Sequence, residues 1–565
     1  MLQSTYKQQI AEALSTPLTD VLSTEQIKKL IETPKTSTMG DLAFPTFTLA
    51  QSMHRAPNDI VADVLSKIDQ SNFEKVVQAG PYINFFLDKG QYANEVLGTI
   101  LQQGSHYGDF DEGHGGNVPI DMSSPNIAKP MSMGHLRSTV IGNSIANLLT
   151  KRGYHPIKDN HLGDWGTQFG KLITAYKKWG NEADVRKDPI TNLVAYYVKF
   201  HQEDVEHPEL DDEAREWFKK LEDGDEEANR LWKWFSEVSL KEFQKVYDLL
   251  GVKFDLYNGE AFYNDKMQEV IDILKEKNLL VESRGAEIVN LDEYKLNPAL
   301  ILKSDGATLY ITRDLATAIY REREFNFAQN LYVVGSEQTY YFKQVKAVLL
   351  KMGFKSAEHM EHIPFGLITV NGKKLSTRSG RIILLEEVLN DSIALAKKQI
   401  ESKNPDLKNK DEVARQVGVG AVVFNDLKNE RILNIDFNLE DVLKFEGDTG
   451  PYVQYTNARA QSLLAKAGVK LQQGNYALTD EKAWNTIKLL DEFPNIVKEA
   501  NDEHEPSVVA KYTLHLAQAF NKYYGNTKIL VKDADLDNRL ALVKSVSVVL
   551  TEALRLLGVQ APSEM

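Results

Sequence analysis

Hydrophobic positions change their period three times along the chain, and each change marks a shift in architecture. From Gln8 to Val21 apolar residues recur at helical spacing, whereas Val76 to Leu87 reads as extended chain broken by the turn Gly80-Pro81. This alternation predicts a compact α+β module over residues 1–112, closing near the glycine-rich Gly113-His114-Gly115-Gly116. From Val118 the pattern becomes a short apolar strand (Val118–Met122), a turn, and a helix from about Leu136 to Lys151, the opening of a nucleotide-binding α/β unit. Further β-rich runs at Glu287–Leu291, Leu331–Val334 and Gly366–Val370 alternate with helices and predict a parallel sheet with crossovers over residues 117–385.

Between the first strand and the later ones lies a long, charged stretch bearing Trp217, Trp232 and Trp234, expected as a helical insertion at about 172–260. Beyond Leu384 strand signals nearly vanish, so residues 386–448 read as connecting helices. In Val508–Tyr524 and Leu540–Leu557 apolar residues fall three and four apart over several turns, which predicts a helical bundle over 449–565. The expected fold is multidomain: an N-terminal α+β module, a Rossmann-like α/β parallel-sheet catalytic domain, and a C-terminal all-α helical bundle.

Composition narrows the chemistry. The 565 residues exceed what one hydrophobic core normally supports. The absence of cysteine excludes disulfides, thiol nucleophiles, iron–sulfur clusters and cysteine-bound zinc together. No apolar window approaches membrane-spanning length, and Met1–Lys7 lacks the layout of a secretory signal, so no membrane partner and a cytoplasmic location are expected. A net charge of −14 argues against a polyanionic partner. That charge is unevenly spread: His201–Arg230 holds thirteen acidic and four basic residues, while Tyr341–Arg381 holds eight basic and two acidic. One face can therefore bind a polyanion that another repels.

Two loops carry candidate chemistry. Gly134-His135 stands where a strand passes into a helix, whose outward amides form a natural phosphate seat. His135 adds a donor for charge developing on a phosphoryl group, Lys129 adds a fixed positive charge, and Gly134 lets backbone approach a nucleotide. The second loop, Asn371–Arg381, holds four cations in eleven residues after the run Gly366–Val370. Its spacing is wrong for a P-loop, and Lys374 stands where Ser or Thr is required. What remains is a basic loop suited to neutralising a triphosphate during nucleotidyl transfer. Between the loops, Tyr310 and Asp314 fall four apart if a helix has begun by Tyr310. A carboxylate beside an aromatic ring suits a planar guanidinium, which pairs bidentately and stacks. Glu358-His359-Met360-Glu361-His362 has the wrong order for a zinc-binding helix.

In this order, more than two hundred residues apart, the loops resemble the two signatures of class I aminoacyl-tRNA synthetases. That family writes the first as His-x-Gly-His, and here it is Ser132-Met133-Gly134-His135. It writes the second as Lys-Met-Ser-Lys-Ser, and here it is Lys374-Leu375-Ser376-Thr377-Arg378. Within the class, Ser123-Ser124-Pro125-Asn126-Ile127-Ala128-Lys129-Pro130 ahead of Gly134-His135-Leu136-Arg137-Ser138 is similar to the arginyl enzymes. So are His161–Gly170 and Gly447–Tyr455, and the likeness runs from Gly40-Asp41 to Leu557–Pro562.

The resemblance implies ATP-dependent ligation of L-arginine to its tRNA through an arginyl-adenylate, for protein synthesis, with ATP and its Mg2+ as cofactors and a monomeric enzyme. It implies catalytic roles for Lys129, Ser132, Gly134, His135, Lys374, Ser376 and Arg378. It places Gly335 and Glu337 on the ATP ribose, with Ser132, Gly134, His135 and Lys374 also touching ATP. It places Tyr310, Asp314 and Gln338 on the arginine side chain and Asp121 and Asn126 on its amino-acid end. The C-terminal bundle would take the anticodon and the N-terminal module the outer corner of the tRNA. Two departures stand out: Ser132 replaces a family histidine, and Thr377 replaces a lysine whose charge Lys129 or Arg378 would supply. A nucleotidyltransferase acting without tRNA, or a non-catalytic tRNA binder, are the rival readings of these residues.

Overall fold

A computed structural model describes residues 2–34, 36–304, 308–370, 373–374, 383–468, 471 and 474–565. Helix α1 (Leu2–Ser15) precedes a small antiparallel sheet of order β1-β3-β2, built from β1 (Leu42–Pro45), β2 (Lys75–Ala79) and β3 (Tyr82–Phe86), against which the helix Pro57–Leu65 packs. Gly80, at φ +58°, makes the two-residue turn between β2 and β3 that its sequence position predicts. The chain then enters α2 (Lys89–Gln103), capped by the Asp88 carboxylate on the Gln91 amide. This helix packs on the C-terminal bundle rather than on the small sheet, and the buried Tyr92 hydroxyl donates to Asp491 at 2.8 Å. Asp41 joins the same seam by accepting from the Trp484 indole at 2.7 Å.

The central unit opens with β4 (Asn117–Asp121), α3 (Met133–Lys151) and β5 (His155–Asp159). Four long helices follow as the expected insertion: α4 (Thr167–Trp179), α5 (Pro189–Glu203), α6 (Glu209–Glu222) and α7 (Glu226–Leu250). Next come three short strands, β6 (Leu280–Ser283), β7 (Ala286–Val289) and β8 (Ala299–Leu302), then α8 (Tyr310–Phe325), β9 (Asn330–Gly335), α9 (Thr339–Lys351) and β10 (Met360–Phe365). The parallel sheet has the order β10-β9-β4-β5. Because β4 leads to β5 on one side while β9 lies on the other, the connections diverge between β4 and β9. That switch point opens a crevice at the strands' carboxyl ends.

Two expected strands of this sheet lie elsewhere. Glu287–Leu291 falls in β7, the middle of a separate antiparallel sheet β6-β7-β8, because Arg284 and Gly285, both at positive φ, turn the chain straight back. Gly366–Val370 contributes β11 (Ile368–Val370), which pairs with β12 (Lys373–Lys374) and, in parallel, with the later β13 (Ile435–Phe437). Their places in the parallel sheet are filled by β5 and β10. The strand His155–Asp159 carries Lys158 and Asp159, which dilute its apolar signal.

After α10 (Leu385–Lys403) and α11 (Lys410–Leu427), the chain passes β13 and ends in four helices: α12 (Gly450–Ala467), α13 (Glu481–Asp502), α14 (Pro506–Asn526) and α15 (Leu536–Leu556). One continuous apolar core runs from the N-terminal module through α3 into this bundle. Two buried cations fasten the joints. Lys151, at the end of α3, pairs with Asp109 and with Glu552 of α15, the latter at 2.9 Å. Arg137, only 1 % exposed, sets its Nε 3.0 Å from Asp426 on α11. Its Nη1 donates to the carbonyls of Gly366 and Leu433, each at 2.7 Å.

Burial raises the Asp426 carboxyl to about 6 even with the Arg137 guanidinium opposing that shift. Arg137→Met would leave this carboxylate and two carbonyls without their donor, so the transition that unfolds the catalytic domain should lose ~3–5 kcal/mol in urea. Arg186→Met, which breaks a surface pair with Glu182, should lose under ~1 kcal/mol. Equal losses in the two variants would refute the tie.

Candidate active site

The crevice between β4 and β9 is floored by a segment held in unusual backbone. Ser123, Ser124 and Ala128 all adopt positive φ (72°, 51° and 59°), a region that side-chain-bearing residues seldom occupy. Each such residue costs about 1–3 kcal/mol and persists only where its surroundings over-determine it. Here the determinants are hydrogen bonds from two helices. Ser138 of α3 accepts from the Ser123 amide at 2.9 Å, and Thr139 donates to the Ser123 hydroxyl at 2.9 Å. From α7, Tyr247 shares a 2.8 Å bond with Ser123, and Ser239 accepts from the Ala128 amide at 3.1 Å. On the crevice's far wall, Gly163 exchanges backbone bonds with Pro125 and Ile127, and a Cβ there would meet Asn126 Oδ1 at 2.4 Å.

At the mouth of this segment α3 begins. Ser132 is its N-cap residue, and its amide donates to His135 Nδ1 at 3.0 Å. A backbone amide can only donate, so Nδ1 is the unprotonated nitrogen and the neutral ring carries its proton on Nε2. Burial, reinforced by the nearby Lys129 charge, lowers the His135 pKa and favours that neutral donor. Lys129 and Gly134 are exposed beside it. At the end of β9, Gly335 lies under the Glu337 carboxylate, whose Oε2 a Cβ would approach to 2.7 Å. Gln338 follows, exposed at the start of α9.

A second group of side chains forms an acidic recess. Asp314 lies on α8, and the buried Tyr341 hydroxyl of α9 donates to its Oδ2. Tyr310, one turn earlier on the same helix as its spacing predicts, is 69 % exposed, and the hydroxyl that meets Asp314 is that of Tyr341. Burial pushes the Asp314 carboxyl up, against the Tyr341 hydrogen bond and the His161 and Arg313 charges. Glu260, 3.8 Å from Arg313, is pushed up by burial as well, and so is Asp164, which accepts from the Ala261 amide at 2.8 Å. Three carboxylates thus share one nearby arginine and a histidine. Such a recess favours a cation. Asp121, the last residue of β4, is differently placed: Arg321, fully buried, spans it at 3.3 Å and Asp159 at 2.8 Å.

The structure brings Asp121, Asn126, Lys129, Ser132, Gly134, His135, Asp314, Gly335, Glu337 and Gln338 to loops and helix starts around the carboxyl ends of β4 and β9. Ser376, Thr377 and Arg378 lie outside the described residues, as does the side chain of Lys374, whose backbone pairs with Thr369 in β12. Both stems of that loop are nonetheless fixed. Arg137 holds Gly366 ahead of it, and behind it Ile383–Leu385 pairs with Met131–Met133 through bonds of 2.9 and 3.2 Å. Tyr341 and Glu260 carry no site role in the sequence reading. A tyrosine two positions into α9 gave no signal, since only folding aligns it with α8.

Three family models match the chain. They are described as tRNA synthetases class I (R), catalytic domain, over 96–439; DALR anticodon binding domain, over 453–565; and arginyl tRNA synthetase N terminal domain, over 4–87. Among curated proteins, the chain is 68% identical to the arginine–tRNA ligase of Levilactobacillus brevis over 99% of its own length and 100% of the relative's. It is 60% identical to that of Enterococcus faecalis, again over 99% of this chain and 100% of the relative. Among solved structures it is similar to the Thermus thermophilus arginyl-tRNA synthetase, with TM-score 0.82, 26% identity, and coverage of 99% of this chain and 100% of that one.

The acidic recess has a pH signature. A carboxyl whose folded pKa is raised stabilises the protein when protonated, and that contribution is lost as pH rises through the folded value. A bound cation offsets the loss, so methylguanidine should raise the melting temperature more at about pH 7.5 than at about pH 5. An equal shift at both values would count against the recess as a cation site.

Proposed function

With the chain belonging to the arginyl-tRNA synthetases of class I, an ATP-dependent ligase family that joins L-arginine to its tRNA for protein synthesis, we propose which residues carry each step. In the reaction the arginine carboxylate attacks the α-phosphorus of ATP, pyrophosphate leaves, and the tRNA's terminal ribose hydroxyl then takes the arginyl group, releasing AMP. The observation that supports the assignment is the acidic group of Asp314, Glu260 and Asp164, three half-buried carboxylates with only Arg313 and His161 as nearby cations, an arrangement that suits a guanidinium.

Asp314 pairs with the substrate guanidinium, held in orientation by Tyr341, while the exposed Tyr310 and Gln338 close over the side chain. Asp121 and Asn126 hold the amino-acid end, Asp121 fixed in place by Arg321. Gly335 and Glu337 bind the ATP ribose, and Gly134 admits the phosphates to the start of α3. There the His135 Nε2 proton follows charge onto the α-phosphoryl oxygens, and Ser132 fixes the ring through its amide. Lys374, Ser376 and Arg378 neutralise the leaving pyrophosphate, and Lys129 supplies the cation that Thr377 lacks. Its charge already acts on His135. Magnesium enters with ATP. Among the described residues no group of three metal-ligating side chains exists to hold it independently, so no step is assigned to a protein-bound ion.

For the tRNA, α12 and α14 offer a stacking platform. Arg459 lies between the rings of Tyr455 and Tyr524, 4.9 and 4.8 Å from their centroids, and both tyrosines are exposed. Such aromatic and cationic faces suit splayed anticodon bases. On the N-terminal module the exposed Phe47, packed edge-on to Tyr82, suits the outer corner. Among the described residues no helix is long and apolar enough to cross a membrane. A cytoplasmic monomer is the form we propose for the enzyme.

Arginine-dependent ATP–pyrophosphate exchange, with and without tRNA, tests the scheme. Asp314→Asn should abolish detectable exchange, and Tyr341→Phe should raise the arginine KM about tenfold with kcat changed less, the loss of roughly one hydrogen bond to a charged group. Full exchange by Asp314→Asn would overturn the pocket. Separately, Lys129→Ala should slow adenylate formation by about 10- to 100-fold with little change in arginine KM, and an unchanged single-turnover rate would remove Lys129 from the mechanism.

A further inference from the structure

On the opposite side of the parallel sheet from α8 lies a recess of about 590 Å³ that takes no part in the reaction above. Its walls come from six parts of the chain: α3 (Asn143, Asn147), β5 (Lys158), the end of α7 and the turn after it (Leu249 to Lys253), α11 (Glu412 to Gly420), α15 (Thr551, Arg555), and the tail Gly558–Ala561. Alternation along β5 sets it apart from the active site. Asp159 turns to Arg321 on α8, whereas Lys158 turns to Asn143 on α3. The volume lies within the range of small-molecule sites.

The recess is built closely. Gly558, at φ +72°, brings the tail so near α3 that a Cβ would meet Asn143 Nδ2 at 2.9 Å. A Cβ on Gly420 would meet Val559 at 3.0 Å. Leu250, Val419 and Val559 make apolar walls. Its charge is one-sided. Arg415 is matched by Glu412 and Arg555 by Glu552, each through two hydrogen bonds. Lys158 and Lys253 have no carboxylate at ion-pair distance among the described residues, and the half-buried Lys158 ammonium reaches only Asn143 Oδ1, at 3.5 Å. The adjacent Asp255 carboxylate is engaged by the Lys158 backbone amide at 2.8 Å. Burial and Lys253 oppose the Lys158 ammonium while the Asp255 charge favours it, and an anion would complete so weakly matched a pair of lysines.

We propose that this recess binds a small organic phosphate of nucleotide size, its phosphate on Lys158 and Lys253 and its body against Leu250, Val419 and Val559. Such a ligand clamps the insertion, the connecting helices and the tail onto α3, the helix whose first turn carries His135. Occupancy there reaches the reaction through a rigid element. The phosphate has two sources, a free metabolite or the backbone of bound tRNA, and the proposal commits to the free one.

The test is calorimetric titration of GMP into the full chain with its ATP site saturated by ATP, with inorganic phosphate as a second probe. GMP should bind the unaltered protein, and Lys158→Met and Lys253→Met should each weaken it about tenfold or more while tRNA affinity changes less than about twofold. Lys253 is exposed, so Lys253→Met reports even if Lys158→Met fails to fold. Absence of binding by both probes up to about 5 mM overturns the proposal. So does GMP affinity indifferent to both substitutions, or loss of tRNA binding in Lys253→Met, which assigns the cations to the tRNA backbone.

Discussion

Everything at the catalytic crevice depends on how α3 is anchored, and the anchor is the buried Arg137 guanidinium. One side chain reaches the Asp426 carboxylate on α11 and the carbonyls of Gly366 and Leu433, from three segments remote in sequence. Breaking it would release the helix that presents His135 and, in the same event, the stem of the basic loop. The second stem is tied to the same place by pairing of Ile383–Leu385 with Met131–Met133. The two ends of that loop are thus fixed on either side of the histidine, and the same bonds hold the first turn of α3 in place.

Strain and order are balanced in the same region. Ser123, Ser124 and Ala128 hold left-handed backbone beside β4, against the preference of residues with a Cβ. The hydrogen bonds that compensate come from α3 and from α7 of the insertion, so the insertion is part of the site's framework. Its acidic outer surface and its buried Ser239 and Tyr247 serve separate ends: one faces solvent, the other fixes the loop. The recess of Asp314, Glu260 and Asp164 repeats the theme. Its carboxylates are half-buried at a cost that raises all three, so a cation placed there would lower the energy of the group.

The reading from residue pattern located α3, the hairpin at Gly80, the insertion and the helical C-terminus because each carries a local signal: a period, a turn glycine, a charge run. It misplaced Glu287–Leu291 and Gly366–Val370 because strand propensity does not say which sheet a strand joins. It passed over His155–Asp159 because Lys158 and Asp159 turn to opposite faces, each meeting a partner that is invisible along the chain. It placed Tyr310 and Asp314 one turn apart on one helix, as α8 has them, but not the hydroxyl that meets Asp314, which belongs to Tyr341 on the next helix.

What the sequence determined by itself is the chemistry available: no thiol, a phosphate-seating helix start at Gly134-His135, a basic loop, and an acidic residue set for a guanidinium. Those follow from residue type and short spacing, which the covalent chain already holds. What tertiary structure alone decided is partnership. The tautomer of His135 depends on the Ser132 amide, the placement of Asp121 on Arg321 two hundred residues away, and the strain in Ser123 on helices from two distant segments. Burial and counter-charge are properties of what surrounds a group in space, and a linear sequence orders only its neighbours.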